Sequence, residues 1–245
     1  MAVWVISDFH LSLSAPFVPG QPPQLYKPMD AFGYKWFDHV QRLYANCQRL
    51  IAKDDTLFVL GDISWAMHLA DAEHDFAYLG ALPGQIWLAK GNHDFWWETK
   101  RKSQQALPPN VGLLQHEACR AEQVAAAAIR GWYCPGSQDF DAEAAKIYRR
   151  ECLRLEMALK QMQQLDEEAG GGLLRVAMLH FPPVNDRLAS NELIELMQQY
   201  KVRRCYYGHL HGQKSAYALQ GERWGIEFAL VSTDFLAHTP KLIVK

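Results

Sequence analysis

Five short apolar runs in this chain each give way, at or within three residues of their end, to a histidine, an aspartate or an asparagine, and that recurrence restricts the folds open to it. Residues 2–6 run into Ser7-Asp8-Phe9-His10, residues 56–60 into Gly61-Asp62, and residues 85–89 into Gly91-Asn92-His93-Asp94. Residues 173–179 stop at His180, and residues 202–207 at Gly208-His209-Leu210-His211. Runs this short read as buried strands rather than helices. Polar groups just past the C-terminal ends of strands suit a site at a sheet edge. Taken singly, each motif reads as a turn, because Gly, Asn and Asp are ordinary turn residues. The series carries the weight.

Helical periodicity fills the gaps between these runs. Residues 34–53 place Trp36, Val40, Leu43, Tyr44, Cys47, Leu50 and Ile51 on one stripe, and further helices are predicted over 69–79, 95–105, 141–168 and 190–200. Gly170-Gly171-Gly172 stops the longest of them. Residues 11–28, rich in Pro and Ser, read as a loop near the site. Additional strands are expected at 111–114, 124–129, 215–219, 224–231 and 241–244. Strand, loop, helix, strand is the rhythm of parallel βαβ units, so the fold class is α/β. No repeat or linker divides the chain, and residues 1–245 are expected to form one domain.

Composition removes several functions. A formal net charge of -2 gives no global basic field for nucleic acid or anionic membrane. The five cysteines are odd in number and scattered, without a Cys-x-x-Cys pair, which argues against a disulfide framework or a thiolate zinc site. With no signal peptide and no apolar run of membrane-spanning length expected, the compartment predicted is the cytoplasm.

Asp8, His10, Asp62, Asn92, His93, His180, His209 and His211 are what remains at the strand ends. Two divalent ions sharing a bridging carboxylate need about seven protein ligands plus water, and imidazole with carboxylate favours Mn, Fe or Zn in an open site. Asp8 and His10, two apart, point the same way if the segment is extended. The same holds for His209 and His211, although a turn would send them to different ions.

The order Asp-x-His, Gly-Asp, Gly-Asn-His-Asp, isolated His, Gly-His-x-His resembles the signature of the calcineurin-like metallophosphoesterase superfamily, from Asp8 to His211. More narrowly, the chain is similar to a group of predicted bacterial phosphohydrolases. Residues 61–67, 91–97, Arg130-Gly131-Trp132, 146–151 and 207–212 carry that likeness. The resemblance implies a four-layer α-β-β-α sandwich of two mixed sheets flanked by helices. It implies Asp8, His10 and His211 on one metal, Asn92, His180 and His209 on the other, and Asp62 bridging. His93 would then serve the leaving group, oriented by Asp94. The implied reaction is hydrolysis of a small-molecule phosphate mono- or diester. An inactive metal-binding scaffold of the same fold and a nuclease are the alternatives. The chain departs from the Ser/Thr protein phosphatases, since Gly61-Asp62 continues into Ile63-Ser64-Trp65-Ala66-Met67 with no arginine in reach.

Trp65, Trp96, Trp97 and Trp132 are candidates for a pocket wall, or for core packing. Arg149 and Arg150, beside Lys146, are candidates for a substrate phosphate, or a solvated helix face. Arg130 belongs with them. His39, His68, His74, His116 and His238 fall outside the pattern and read as surface or packing groups.

Overall fold

The computed structural model describes residues 1–245. In chain order the strands are β1 (Val3–Ile6), β2 (Thr56–Leu60), β3 (Gln85–Ala89), β4 (Val111–Leu113), β5 (Glu117–Ala121), β6 (Val124–Ile129), β7 (Leu174–Leu179), β8 (Arg204–Tyr207), β9 (Gly221–Arg223), β10 (Ile226–Leu230) and β11 (Lys241–Val244). The α-helices are α1 (His39–Leu50), α2 (Glu73–Gly80), α3 (Lys100–Ala106), α4 (Ala142–Glu168) and α5 (Glu192–Gln199). The strands build two mixed sheets, ordered β11-β1-β2-β3-β4 and β5-β6-β7-β8-β10-β9. In the first, β1 to β4 are parallel and β11 pairs antiparallel with β1. In the second, β6, β7, β8 and β10 are parallel, with antiparallel edges at β5 and β9.

The period-2 alternation of each central strand decides the layering. Phe58 and Leu60 of β2 turn towards the other sheet, where they join Val3, Val5, Ala126, Ala128, Val176 and Met178. Leu57 and Val59 face the opposite way, onto Val40, Leu43 and Cys47 of α1 and Phe76 and Leu79 of α2. Strand β6 repeats the device with small residues, because Ala125, Ala127 and Ile129 face Cys152, Leu155 and Leu159 of α4. Burial on both faces is what a central parallel strand demands, and it explains the uninterrupted apolar runs. The result is helix, sheet, sheet, helix. No helix is long and apolar enough to cross a membrane.

Several local expectations are corrected. The helix expected over 34–53 is a 3-10 turn at Tyr34–Trp36 followed by α1, broken at Asp38, whose φ is +53°. The helix expected over 69–79 opens with a 3-10 turn, Leu69–Ala72. That expected over 95–105 begins only at Lys100, capped by the Thr99 hydroxyl, since the preceding residues are held by Asp94. A 3-10 turn, Gly212–Tyr217, occupies most of the strand expected over 215–219. Strand β5, polar and half-exposed, was not expected; pairing with β6 makes it.

Candidate metal centre

The parallel strands of both sheets end at a common edge, and the chain leaves most of them through unusual backbone. Asp8, His10, Asp62 and His209 all have positive φ, between +48° and +71°. Residues other than glycine adopt this region at a cost, and they concentrate at sites where surrounding structure holds them. Asp8 and His10 therefore converge through a left-handed turn, not through the extended segment expected. His209 and His211 diverge.

Two glycines permit the close approach of these turns. A Cβ on Gly91 would overlap the Asp62 carboxylate and amide, and one on Gly208 would overlap Ser7 and the Asp8 carboxylate. The loops interlock by hydrogen bonds as well. The His93 amide donates to Asp62 Oδ1 at 2.8 Å, and the His209 amide donates to Asp8 at 3.1 Å.

Two groups of three ligand atoms result, Asp8 with His10 and His211, and Asp62 with His180 and His209; within each, the atoms lie within 4.8 Å of one another. In the first, His10 Nε2 and His211 Nε2 are 3.4 Å apart and Asp8 Oδ1 is 3.3 Å from His211 Nε2. Asp62 stands between the groups, with Oδ2 at 3.8 Å from His10 Nε2 and Oδ1 at 3.4 Å from His180 Nε2. Asn92 Oδ1 lies 2.9 Å from His180 Nε2, beside the second group.

The electrostatics follow from burial. Burial alone would raise the Asp8 and Asp62 carboxyls, but the imidazoles of His211 and His180 hold both well below the usual range. In return, burial of His180 is outweighed by Asp62, and its imidazole rises to about 9. His211 rises to about 10, as Asp8 and the bond to Asp234 override burial. Burial dominates at His10 and His209, which fall to about 4 and about 3. A buried carboxylate pair is a negative field suited to divalent ions, which would displace the protons that the His180 and His211 rings hold in their absence. The donors are oxygen and nitrogen without sulfur, and imidazole nitrogens converge with the carboxylates. On donor chemistry and placement, these residues fit two divalent transition ions.

Outer contacts fix the ligands. His211 Nδ1 bonds Asp234 Oδ1 at 2.8 Å, and His180 Nδ1 bonds the Leu60 carbonyl at 2.9 Å, so each ring is oriented by its second nitrogen. Asp234 was missed from sequence, yet Ser232-Thr233-Asp234 follows the apolar run of β10 as the other site residues follow theirs.

His93 is half-buried, tilted over Trp65 with centroids 4.4 Å apart, and its ring makes no hydrogen bond within the protein. Asp94 does not orient it. The Asp94 carboxylate, 1% exposed, accepts from the amides of Asp62 (2.9 Å), Ile63 (2.8 Å), Ser64 (3.3 Å) and Gly91 (2.7 Å) and from Trp96 Nε1 (3.0 Å). It ties the β2 loop to the β3 loop.

A cleft opens over the first group, walled by Met29, Phe32, Trp36 and Trp65 together with His93. Trp65 stacks on His10 at 4.8 Å and carries the Lys27 ammonium on its ring. Trp36, read from sequence as part of a helix stripe, belongs to this wall because α1 starts after it. Trp97 does not line the cleft; it is buried against Trp96 and bonds Gln115. Arg149 and Arg150 lie exposed on α4, outside the cleft lining.

Two stacked mixed sheets with flanking helices and a donor set at their shared edge constitute the α/β metallo-dependent phosphatase fold. The chain belongs to the calcineurin-like phosphoesterase family, whose model matches residues 1–213. Among solved structures it is similar to a protein of unknown function from Aquifex aeolicus, with 16% identity, a TM-score of 0.52, and 98% and 95% of the two chains covered. It is also similar to a phosphopantetheinyl hydrolase from Mycobacterium tuberculosis (15%, TM-score 0.51, 94% and 88% covered). A Thermus thermophilus protein is a third (10%, TM-score 0.56, 99% and 97% covered). At these identities the likeness is one of fold. No functionally curated protein matches the chain significantly.

Proposed function

We propose that this chain is a dinuclear metal-dependent phosphoesterase acting on a small-molecule phosphate ester. The observation that carries the reading is the pair of three-residue donor groups with Asp62 between them. Asp8, His10 and His211 would hold one ion, Asn92, His180 and His209 the other, and Asp62 would touch both. When bound, two divalent ions polarise phosphoryl oxygens and supply a nucleophile at neutral pH, and Mn, Fe or Zn suits this donor set.

The protein's own groups do the rest. Asp234 and the Leu60 carbonyl hold the His211 and His180 rings in place. The apolar wall of Met29, Phe32, Trp36 and Trp65 receives the organic part of the ester and keeps water from it. His93, whose ring is free and faces that cleft, passes a proton to the departing oxygen.

The test is hydrolysis of p-nitrophenyl phosphate and bis-p-nitrophenyl phosphate by chelator-treated protein with Mn²⁺, Zn²⁺ or Fe²⁺ restored. Turnover is expected to return with a transition ion and to fall roughly 100-fold or more in Asp62→Asn. His93→Ala should lose more on an alkyl phosphate than on the p-nitrophenyl ester, whose leaving group needs no proton. Metal binding without turnover on a wide ester panel would favour the scaffold instead.

A further inference from the structure

Two motifs in the sequence, Arg130-Gly131-Trp132 and the basic run of α4, have no part in the metal centre as described. The fold brings Arg150 of that run near Arg130, while Lys146 pairs with Glu143. Lys90 follows β3, two residues before Asn92, and Arg130 follows β6. The Arg130 carbonyl receives the amides of His180 (3.1 Å) and Phe181 (2.9 Å), so Arg130 sits directly beside the β7 loop. Glu151 of α4 brings Arg154 beside Arg130, because it accepts from both the Arg154 guanidinium and the Gly131 amide, and Arg150 lies one helical turn before Arg154.

The charge here is unbalanced. Glu151 is the carboxylate among these cations, and it is already used by the Gly131 amide (3.1 Å) and Arg154 Nη1 (2.6 Å). Lys90, Arg130 and Arg150 have no carboxylate within salt-bridge distance, and the Lys90 ammonium donates to the Trp97 carbonyl at 3.1 Å. Arg130 Nε and His116 Nδ1 are both buried without a hydrogen-bond partner. Burial, followed by Arg154, Arg130, Arg150 and Lys90, pushes the His116 imidazole down to about 4. Lys90 and Arg130, half-buried at strand ends, face the exposed Arg150 and the Glu151-paired Arg154 as like charges, and a plain solvated helix face does not account for the first two.

A row of aromatic rings runs from the cluster to the candidate metal centre. The Arg130 guanidinium lies 4.4 Å over Trp132, Trp132 is 4.8 Å from Phe181, and Phe181 stacks on His209 at 4.0 Å. We propose that Lys90, Arg130, Arg150 and Arg154 form a second anion site, which takes a second phosphate group of the substrate while the ester to be cleaved occupies the metal centre. The substrate class is then a phosphoester bearing two phosphate groups. This assignment to the substrate rests on the phosphoesterase reading; the anion site itself does not.

Inorganic phosphate is the probe, its binding measured calorimetrically and by ³¹P line broadening with and without Mn²⁺. Wild-type protein is expected to bind one phosphate without Mn²⁺ and a second with it. Arg130→Gln/Arg150→Gln should weaken the first site by roughly 10-fold or more and leave the second, as loss of charge-assisted bonds to an anion demands. Arg150→Gln alone, at an exposed residue with no partner to lose, should give part of that loss with an unchanged melting temperature; Arg130→Lys should recover part of the double variant's loss. No phosphate bound in the absence of Mn²⁺, or equal binding by all variants, would overturn the site. A first phosphate that persists while Mn²⁺ brings neither a second nor turnover would leave the anion site standing and bring down the phosphoesterase reading.

Discussion

Asp94→Asn separates two roles for a carboxylate next to the histidine at the cleft. If Asp94 oriented His93, the change would reach activity through that ring and leave stability nearly untouched. The structure assigns it instead to five donors. Burial, followed by the Asp62 charge, pushes Asp94 up to about 6, while the amides of Gly91, Ile63 and Ser64 pull it back, so it is ionised at neutral pH. An asparagine has one accepting oxygen. If the amide nitrogen replaces Oδ2, it faces the amides of Asp62 and Gly91; if it replaces Oδ1, it faces Ile63, Ser64 and Trp96. Either way at least two buried N–H groups lose their acceptor, at about 1–3 kcal/mol each, and relief of the buried charge offsets part of this. A net loss of about 2–4 kcal/mol corresponds to a fall of roughly 4–15 °C in melting temperature for a chain of this size. Thermal unfolding of the metal-free variant followed by circular dichroism reads it directly. His93→Ala, which cuts no hydrogen bond of the ring, should stay within about 2 °C of wild type. The reasoning fails if Asp94→Asn melts with the wild type and reproduces only the activity profile of His93→Ala.

Three further outcomes are expected. Asp75, buried on α2, bonds the Leu13 amide and the Ser64 hydroxyl, and burial pushes its carboxyl up to about 6. The folded protein thus holds this proton more tightly than the unfolded chain, so the contribution of Asp75 to stability falls as pH rises from about 4 to about 6 and is constant above. The full difference is on the order of 3 kcal/mol, about 2 kcal/mol of it between pH 4.5 and 7.5, and urea titrations at those two pH values should show the pH dependence of Asp75→Asn differing from that of wild type by that share. Asp234→Asn replaces one acceptor oxygen of the carboxylate that bonds the His211 ring and the Gly212 amide, and should cost roughly 10–100-fold in Mn²⁺ affinity by titration calorimetry. Mn²⁺ at 100 times its Kd should raise stability by about 2.7 kcal/mol per ion, seen as a higher melting temperature than in chelator; an unshifted melt would contradict the donor assignment.

Much of the fold was legible because parallel strands buried on both faces leave uninterrupted apolar runs, and the central strands lie where those runs do. Where the sequence misled, a local backbone or side-chain contact had overridden periodicity. Asp38 and Asp94 each delay the start of an α-helix within what looks like a continuous helical pattern, one by a left-handed residue and one by capturing the chain that follows it. The polar strand β5 has no apolar signature of its own and exists through β6. At the site, residue types and order were readable, but not the partition of contacts. That Asp94 is a tie between loops, that Trp36 is a wall and that Asp234 supports His211 are facts of three-dimensional proximity between segments separated by 23 residues (Asp234 and His211) to 175 (Trp36 and His211).

The way the two donor groups are assembled bears on why the site sits where it does. Asp8, His10, Asp62 and Asn92 come from the loops after β1, β2 and β3, in the first sheet; His180, His209 and His211 come from those after β7 and β8, in the second. Neither group of three is complete within one sheet, since Asp8 and His10 need His211, and Asp62 needs His180 and His209. The distance between the sheets must therefore be fixed before the ligand atoms can converge. Small residues of β6 and the Val, Phe and Leu side chains of β1 and β2 set that distance across the inter-sheet core. Left-handed backbone at four candidate ligand positions is tolerable on the same ground: each costs about 1–2 kcal/mol in isolation, and the interlocked loops over-determine it. Sheet packing, loop strain and ligand placement are in this molecule one constraint, imposed at the edge where both sheets end.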